Sequence, residues 1–331
     1  MKIEKQLLAP GIKLKDKMII DGHTDVLFAL TQQRRVFYER SEKGHVDLPR
    51  AKEGNVLAMF FAIWPGINQY YILKGTRQLL ELVENKKNNL VLVKKVDDLE
   101  KIATSGKLGA IFHIEGIGGF DSEFHLLHVL YRLGLRSFGI TWSDENLFGT
   151  GSSFDPNTPE DTRGLTAEGK ELIHEANKLG VIVDVSHLSD KSFWDAIDVT
   201  NKPLIASHSS CRVLSPHVRN LTDDMIKAIA DINGMVGINF GNMFLREDCS
   251  RDAKTPFTKI IDHIDHVVNL VGPDYVGFGS DFDGTLVPDS VKDVTGFNLL
   301  VKELEKRDYS LEDINKICHG NFMRIFKEVW K

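Results

Sequence analysis

Short apolar runs recur along the chain at residues 18–21, 56–63, 108–114, 137–141, 181–186, 203–207, 234–239 and 275–279. Each is rich in β-branched or aromatic residues. Most are nearly continuous rather than alternating, which is the pattern of strands buried on both faces. Helical spacing lies between most of them. Residues 260–271 place apolar side chains at 260, 264, 267 and 271, one stripe of a helix. Thr222-Asp223-Asp224 supplies a capping residue and early acids for a helix that ends before Gly234, and Thr166 and Gly180 bracket another. Eight strands alternating with helices predict a (β/α)8 TIM barrel. A doubly wound open sheet is the competing architecture, weakened because no Gly-rich phosphate loop follows the first run.

No linker or low-complexity stretch divides the 331 residues, so the expected organisation is one barrel domain over 1–331. The longest irregular segment, 143–164, is rich in Gly, Ser, Asp, Asn and Pro. It follows the 137–141 run, which places it at the mouth of the barrel as a candidate lid.

Five of the runs end in residues able to ligate a metal: Asp21-Gly22-His23-Thr24-Asp25, His113-Ile114-Glu115-Gly116, Ser186-His187, Ser207-His208 and Gly279-Ser280-Asp281-Phe282-Asp283-Gly284. Ligands at the C-terminal ends of parallel strands are the layout of a metal-dependent barrel hydrolase. His23 and Asp25, two apart in extended chain, leave the same face. The plainer reading is a His bonded to its own turn. Glu115 has two oxygens and can bridge two cations; an Arg partner is the plainer alternative, because a buried unpaired carboxylate is costly. His187 and His208 each read singly as a structural histidine, and together on adjacent strands as shared ligands. These five residues are expected to surround two metals, with Glu115 shared. Two metals about 3.5–4 Å apart can hold a bridging hydroxide and polarise a carbonyl. Asp281 would then take and pass on the proton, with Asp283 in a turn or supporting role. His113 shares the inward face one layer deeper and is expected to pack. His125 and His128 fall on a helix. His263 and His266, off the apolar stripe of theirs, are expected to be solvated.

Composition narrows the partners. Lys and Arg number 41 against 47 Asp and Glu, a net charge of −6, which argues against a nucleic-acid surface. Arg34-Arg35 and Lys86-Lys87 read as isolated surface pairs. Three dispersed cysteines, Cys211, Cys249 and Cys318, carry no disulfide framework, and no run approaches the roughly 20 apolar residues of a membrane span. Residues 1–17 do not read as a signal peptide. A soluble cytoplasmic protein is expected.

Across nearly its whole length the chain resembles the zinc-dependent membrane (renal) dipeptidases and their bacterial relatives. The resemblance rests on the segments above, together with Val183-Asp184-Val185-Ser186-His187, Ser207-His208-Ser209-Ser210, Pro216-His217-Val218-Arg219-Asn220 and His263-Ile264-Asp265-His266, in family order. It implies a barrel with two zinc ions, His23 and Asp25 on one, His187 and His208 on the other, and Glu115 bridging. It implies proton transfer by Asp281, substrate-carboxylate binding by Arg219, and a homodimer. Arg219 read from sequence alone is a surface arginine. One departure stands out: mammalian members carry Thr-His-Ser where this chain has Thr141-Trp142-Ser143. Trp142 offers one N–H donor and no acceptor, and either shapes the substrate pocket or packs under the 143–164 segment.

The activity expected is hydrolysis of dipeptides, including those with a C-terminal D-residue. The alternatives are a related dizinc amide hydrolase acting on N-acyl amino acids, and a non-catalytic metal-binding relative.

Overall fold

The computed structural model describes residues 14–154 and 163–331. The described residues form nine strands: β1 (Ile19–Thr24), β2 (Val56–Ile63), β3 (Leu90–Leu92), β4 (Leu108–Glu115), β5 (Leu135–Gly139), β6 (Ile182–Asp184), β7 (Ile205–Ala206), β8 (Met235–Ile238) and β9 (Val276–Phe278). All pair in parallel. β1 joins β9 on one side and β2 on the other, and β2 also pairs β4, so eight strands close into a barrel with helices outside. The (β/α)8 barrel expected from the apolar runs is therefore the fold.

β3 was not anticipated. It is a three-residue Leu-Val-Leu strand that pairs only with the first half of β4, at Leu90↔Leu108 and Leu92↔Ala110, below the point where β5 joins β4. Two of its three residues are only half-buried, so it lacks the apolar length that marks the others. The helix signals hold. Thr222 accepts from the Met225 N–H at the start of helix Asp223–Asp231, Thr166 accepts from the Gly169 N–H, and Gly180 ends helix Ala167–Leu179 in the left-handed conformation.

An aromatic column fills the barrel from the site to its base. His23 contacts His113 edge-on at 5.5 Å, His113 contacts Phe60 at 5.9 Å, Phe60 contacts Phe322 and Phe326, and Phe326 stacks on Trp330 at 3.9 Å. The last three lie on or next to the C-terminal helix Asn321–Val329, whose apolar face seals the base. Such ring pairs each contribute about 0.5–1.5 kcal/mol beyond their buried area. The strands also converge closely. A Cβ on Gly22, Gly237 or Gly279 would stand 2.5, 2.2 or 1.9 Å from the Ser207 carbonyl oxygen, so only glycine fits at these three crossings.

Two seams of the barrel are thin. β1 meets β9 only through Asp21↔Phe278, and β6 meets β7 only through Asp184↔Ile205. At both, a buried aspartate takes over the bonding. Asp21 accepts the N–H and O–H of Ser280 at 2.8 and 2.6 Å, and Asp184 accepts the N–H of Ser207 at 2.9 Å together with its hydroxyl.

Two sequence expectations are corrected. Arg35 is not a surface residue: its side chain is buried and pairs with Asp283 at 2.8 Å. His263 is not solvated: it is fully buried, accepts the Cys211 N–H at Nδ1 (3.0 Å) and faces the Leu245 carbonyl with Nε2 (3.3 Å). It sits on the flank of its helix, and the 208–221 loop covers that flank, a contact no helical stripe encodes. His266 is half-buried and pairs with Asp223 at 2.7 Å.

Burial pushes His263 down to about 4, against a smaller upward pull from the Leu245 carbonyl. Protonation would also set an Nδ1–H against the Cys211 N–H. The unfolded chain therefore binds the extra proton first. The stabilisation from neutral His263 is complete above about pH 6.5 and is lost as pH falls towards 4, amounting to about 3 kcal/mol at most. The expected result is that His263→Asn, which keeps an acceptor for Cys211, lowers Tm at pH 7 but loses less Tm than wild type between pH 7 and pH 5. Parallel slopes in the two melting series would refute this.

Candidate active site

The carboxyl ends of the strands gather the predicted residues into one buried cluster. His23 lies in β1, and Asp25 is the first residue beyond it, at the start of a helix rather than in extended chain; the two still meet, Nε2 to Oδ2, at 3.6 Å. Glu115 ends β4. Its Oε1 lies 2.8 Å from His187 Nε2 and 3.5 Å from His208 Nε2, while its Oε2 lies 3.7 Å from His23 Nε2. His187 and His208 face each other through Nε2 at 3.0 Å. Ligand atoms of His23, Glu115 and His208, and of His23, Asp25 and Asp281, fall within 4.8 Å of one another.

Backbone strain aims two of these side chains. His187 and Asp281 have φ of +72° and +58°, the left-handed region that non-glycine residues seldom adopt. The turn at Asp281 is held by its own N–H on the His23 carbonyl and by the Gly284 and Thr285 N–H groups on its carbonyl. Asp283, also left-handed at +68°, turns away and is held by Arg35 and the His45 N–H.

The electrostatics are those of a site short of positive charge. Burial holds Glu115 well above the usual carboxylate range, and raises Asp281 to about 6 with Asp25 adding to the effect. Burial opposes a charge on His23, yet Glu115, Asp25 and Asp281 together lift it to about 10. His187 and His208 are pushed far below the ordinary imidazole range, first by burial and then by neighbouring positive charge, so both are neutral with a lone pair available. Both ring nitrogens of His23 and Oδ1 of Asp25 are buried without a hydrogen-bond partner among the described residues. Neutral imidazoles, crowded carboxylates and orphaned donor atoms are the donor set of a zinc-type cation. The residues present fit a metal.

A cavity of about 530 Å³ opens above the cluster, lined among others by Phe28, Trp64, Trp142, Phe154, Arg219, Met243 and Phe244. A second, of about 450 Å³, shares Trp64, Glu115 and Trp142 with it and extends past Ile67 and Leu147. A larger groove of about 1140 Å³ lies at the other end of the barrel, around His319, and touches none of these groups. Trp142 is half-buried, with its ring 5.7 Å from Trp64, 5.5 Å from Phe154 and 5.8 Å from His187. Arg219 is buried at 4% exposure; among the described residues its Nε has no partner, and its other side-chain nitrogens make only long contacts to Ser209 Oγ (3.5 Å) and the His208 carbonyl (3.3 Å). Burial pulls it down to about 10. The first part of the 143–164 segment runs along this mouth, where the Ser152 N–H donates to the His187 carbonyl at 2.7 Å. Residues 155–162 of the candidate lid lie outside the described residues.

Residues 13–331 match the membrane dipeptidase family, peptidase family M19. The chain belongs to that family. It is similar to a metallopeptidase from Rhodobacter sphaeroides solved with a phosphinate mimic of the dipeptide L-Ala-D-Ala, at 32% identity and a TM-score of 0.90 over 96% of this chain and 100% of that one. It is also similar to dipeptidase AC, a metallopeptidase of family M19, at 33% identity and a TM-score of 0.89 over 94% of this chain and 98% of that one. The dipeptidase tcpJ of Claviceps purpurea is 30% identical over 338 residues, 93% of this chain and 76% of the relative. The protein is thus a metallo-dipeptidase, a hydrolase of M19 type. Among the described residues no helix is long and apolar enough to cross a membrane.

Sequence reasoning missed several groups in the M19 site. Asn239, just beyond β8, donates to Asp281 Oδ2 at 3.0 Å. The available signal was a polar residue closing an apolar run, as at the other strand ends. Ser143, next to Trp142, contacts His187 Nδ1 at 3.1 Å. Phe154 comes from an irregular segment and Met243 and Phe244 from the short helix Asn242–Leu245, and no local pattern encodes their approach to the mouth.

Proposed function

We propose that this metallo-dipeptidase works with two zinc ions, and that it accepts dipeptides with a C-terminal D-residue. One observation carries the reading: Glu115 turns one oxygen towards His187 and His208 and the other towards His23. A carboxylate so placed serves two cation positions. His23 and Asp25 would hold one ion, His187 and His208 the other, with Glu115 common to both. Bound zinc supplies Lewis acidity towards a carbonyl oxygen and acidifies water.

The chain's own residues account for the rest. Asp281, raised towards neutrality and steadied by Asn239, is suited to accept a proton from water and return it to the leaving amine. Arg219, buried and under-bonded in the cavity wall, offers its guanidinium fork to the substrate's C-terminal carboxylate. Trp142, Trp64 and Phe154 form an apolar wall that holds the substrate side chains and excludes water. Acceptance of a D-residue is supported by the phosphinate mimic of L-Ala-D-Ala held by the Rhodobacter relative. The free thiols of Cys211, Cys249 and Cys318 support a cytoplasmic setting.

Metal analysis coupled to a dipeptide panel that includes D-residues tests the whole reading, with close to two zinc ions per chain expected. Glu115→Gln is expected to weaken both ions together; loss of one with tight retention of the other would contradict the shared carboxylate. Asp281→Asn keeps size and the Asn239 contact, so metal content should survive while kcat falls by roughly 10²–10⁴-fold. Near-normal turnover removes Asp281 from proton transfer, and loss of metal makes it a ligand. Arg219→Met is expected to cost about 1.5–3 kcal/mol in kcat/KM on dipeptides with a free C-terminal carboxylate and little on dipeptide amides. Equal losses on acid and amide substrates would make Arg219 structural.

A further inference from the structure

Asp184 is fully buried three residues before His187, and its carboxylate accepts three hydrogen bonds, with His113 Nε2 a further 3.6 Å from Oδ2. Oδ1 accepts the backbone N–H groups of Ser186 and Ser207, each at 2.9 Å, and Oδ2 accepts the Ser207 hydroxyl in a short contact. The same Ser207 oxygen lies 2.7 Å from His208 Nδ1. A hydroxyl has one proton to give. Ser207 gives its proton to Asp184, so at His208 its oxygen acts as acceptor and the imidazole is the donor. Neutral imidazole carries one proton; if it is on Nδ1, Nε2 keeps its lone pair, and Nε2 is the atom facing Glu115 Oε1 and His187.

We propose that Asp184 is a positioning residue that, through the Ser207 hydroxyl, fixes the proton of His208 on Nδ1 and leaves Nε2 free for a metal ion. The relay is a carboxylate–serine–histidine chain rather than the direct carboxylate–histidine contact by which such ligands are commonly oriented. It rests on the metal reading above only for what the free lone pair is used for.

A purely structural role for Asp184 is the rival, because the same carboxylate bridges the thin seam between β6 and β7. Asp184→Asn separates the two. The two backbone N–H groups at Oδ1 hold the amide oxygen there, so the amide NH₂ replaces Oδ2 and donates to Ser207. The serine proton must then turn to His208 Nδ1, which drives the imidazole proton to Nε2 and blocks the ligand lone pair. Ser207→Ala merely deletes the link and imposes no tautomer.

The test uses the full-length chain, with zinc affinity measured against a competing chelator and the imidazole tautomer read in the stripped protein from ¹⁵N-histidine signals assigned with a His208→Gln variant. Asp184→Asn is expected to lower zinc affinity by about 10–100-fold and to move the His208 proton to Nε2; Ser207→Ala is expected to lose less affinity and to show a mixture of tautomers. Wild-type affinity with an unchanged Nδ1–H signal in Asp184→Asn overturns the proposal, as do equal affinity losses in both variants with no tautomer change. If Asp184→Asn does not fold, Ser207→Ala decides: mixed tautomers with weakened zinc support the relay, and an unchanged tautomer refutes it. A wild-type chain that takes up no zinc would sink the metal reading separately, because the tautomer is read without metal.

Discussion

Three carboxylates brought together out of water are the constraint to which the rest of this structure answers. Glu115, Asp25 and Asp281 converge at the top of the barrel with almost no exposure. Charges so buried are tolerated only where opposite charge or convergent donors meet them. Within the chain that compensation comes from His23, held between the acids, and from Arg219, held in the cavity wall. Both are themselves buried and under-bonded among the described residues, and two such groups against three carboxylates leave the cluster short of positive charge. A site left in that condition by its own residues is built to receive something charged, which is the chemistry expected of an M19 metallopeptidase.

Holding such a cluster requires a rigid frame, and the barrel supplies it from below. The aromatic column from His113 to Trp330 fixes the depth at which the polar layer begins, and glycines around the Ser207 carbonyl let the strands approach. The two thin seams are closed by side chains. Asp21 grips Ser280, which precedes Asp281, and Asp184 grips Ser207, which precedes His208. The residues that complete the barrel are therefore adjacent in sequence to those that face the cavity, so barrel closure and site alignment depend on the same few hydrogen bonds. Left-handed backbone at His187 and Asp281 adds the last turn inward, a strain the surrounding hydrogen bonds offset.

Above the cluster the chemistry changes from charged to apolar. Trp64 and Trp142 stand between two cavities that share Glu115. The position at which this chain departs from the mammalian members is thus occupied by an aromatic wall packed against Phe154 and His187. Side-chain selection in such a space follows from shape and is worth about 1–3 kcal/mol for a methylene-sized difference.

The sequence by itself determined the barrel and the residues that meet in its mouth. Continuous apolar runs specify strands buried on both faces, and five of them lead into chemically active residues at the carboxyl ends of the strands, so His23, Asp25, Glu115, His187, His208 and Asp281 were legible as neighbours in the sequence alone. Only the tertiary structure decided what those residues touch. β3 was invisible because a three-residue strand with two residues only half-buried carries too little pattern. His263 and Arg35 were misplaced outside because the loops that bury them come from distant segments. Asn239, Ser143 and the Asp184–Ser207 relay owe their roles to the closeness of neighbouring strands and of the loops that leave them. Periodicity records which face of an element is dry, a property of a dozen local residues. Which donor meets which acceptor is set by how strands far apart in the chain come into register, and that is fixed only when the barrel closes.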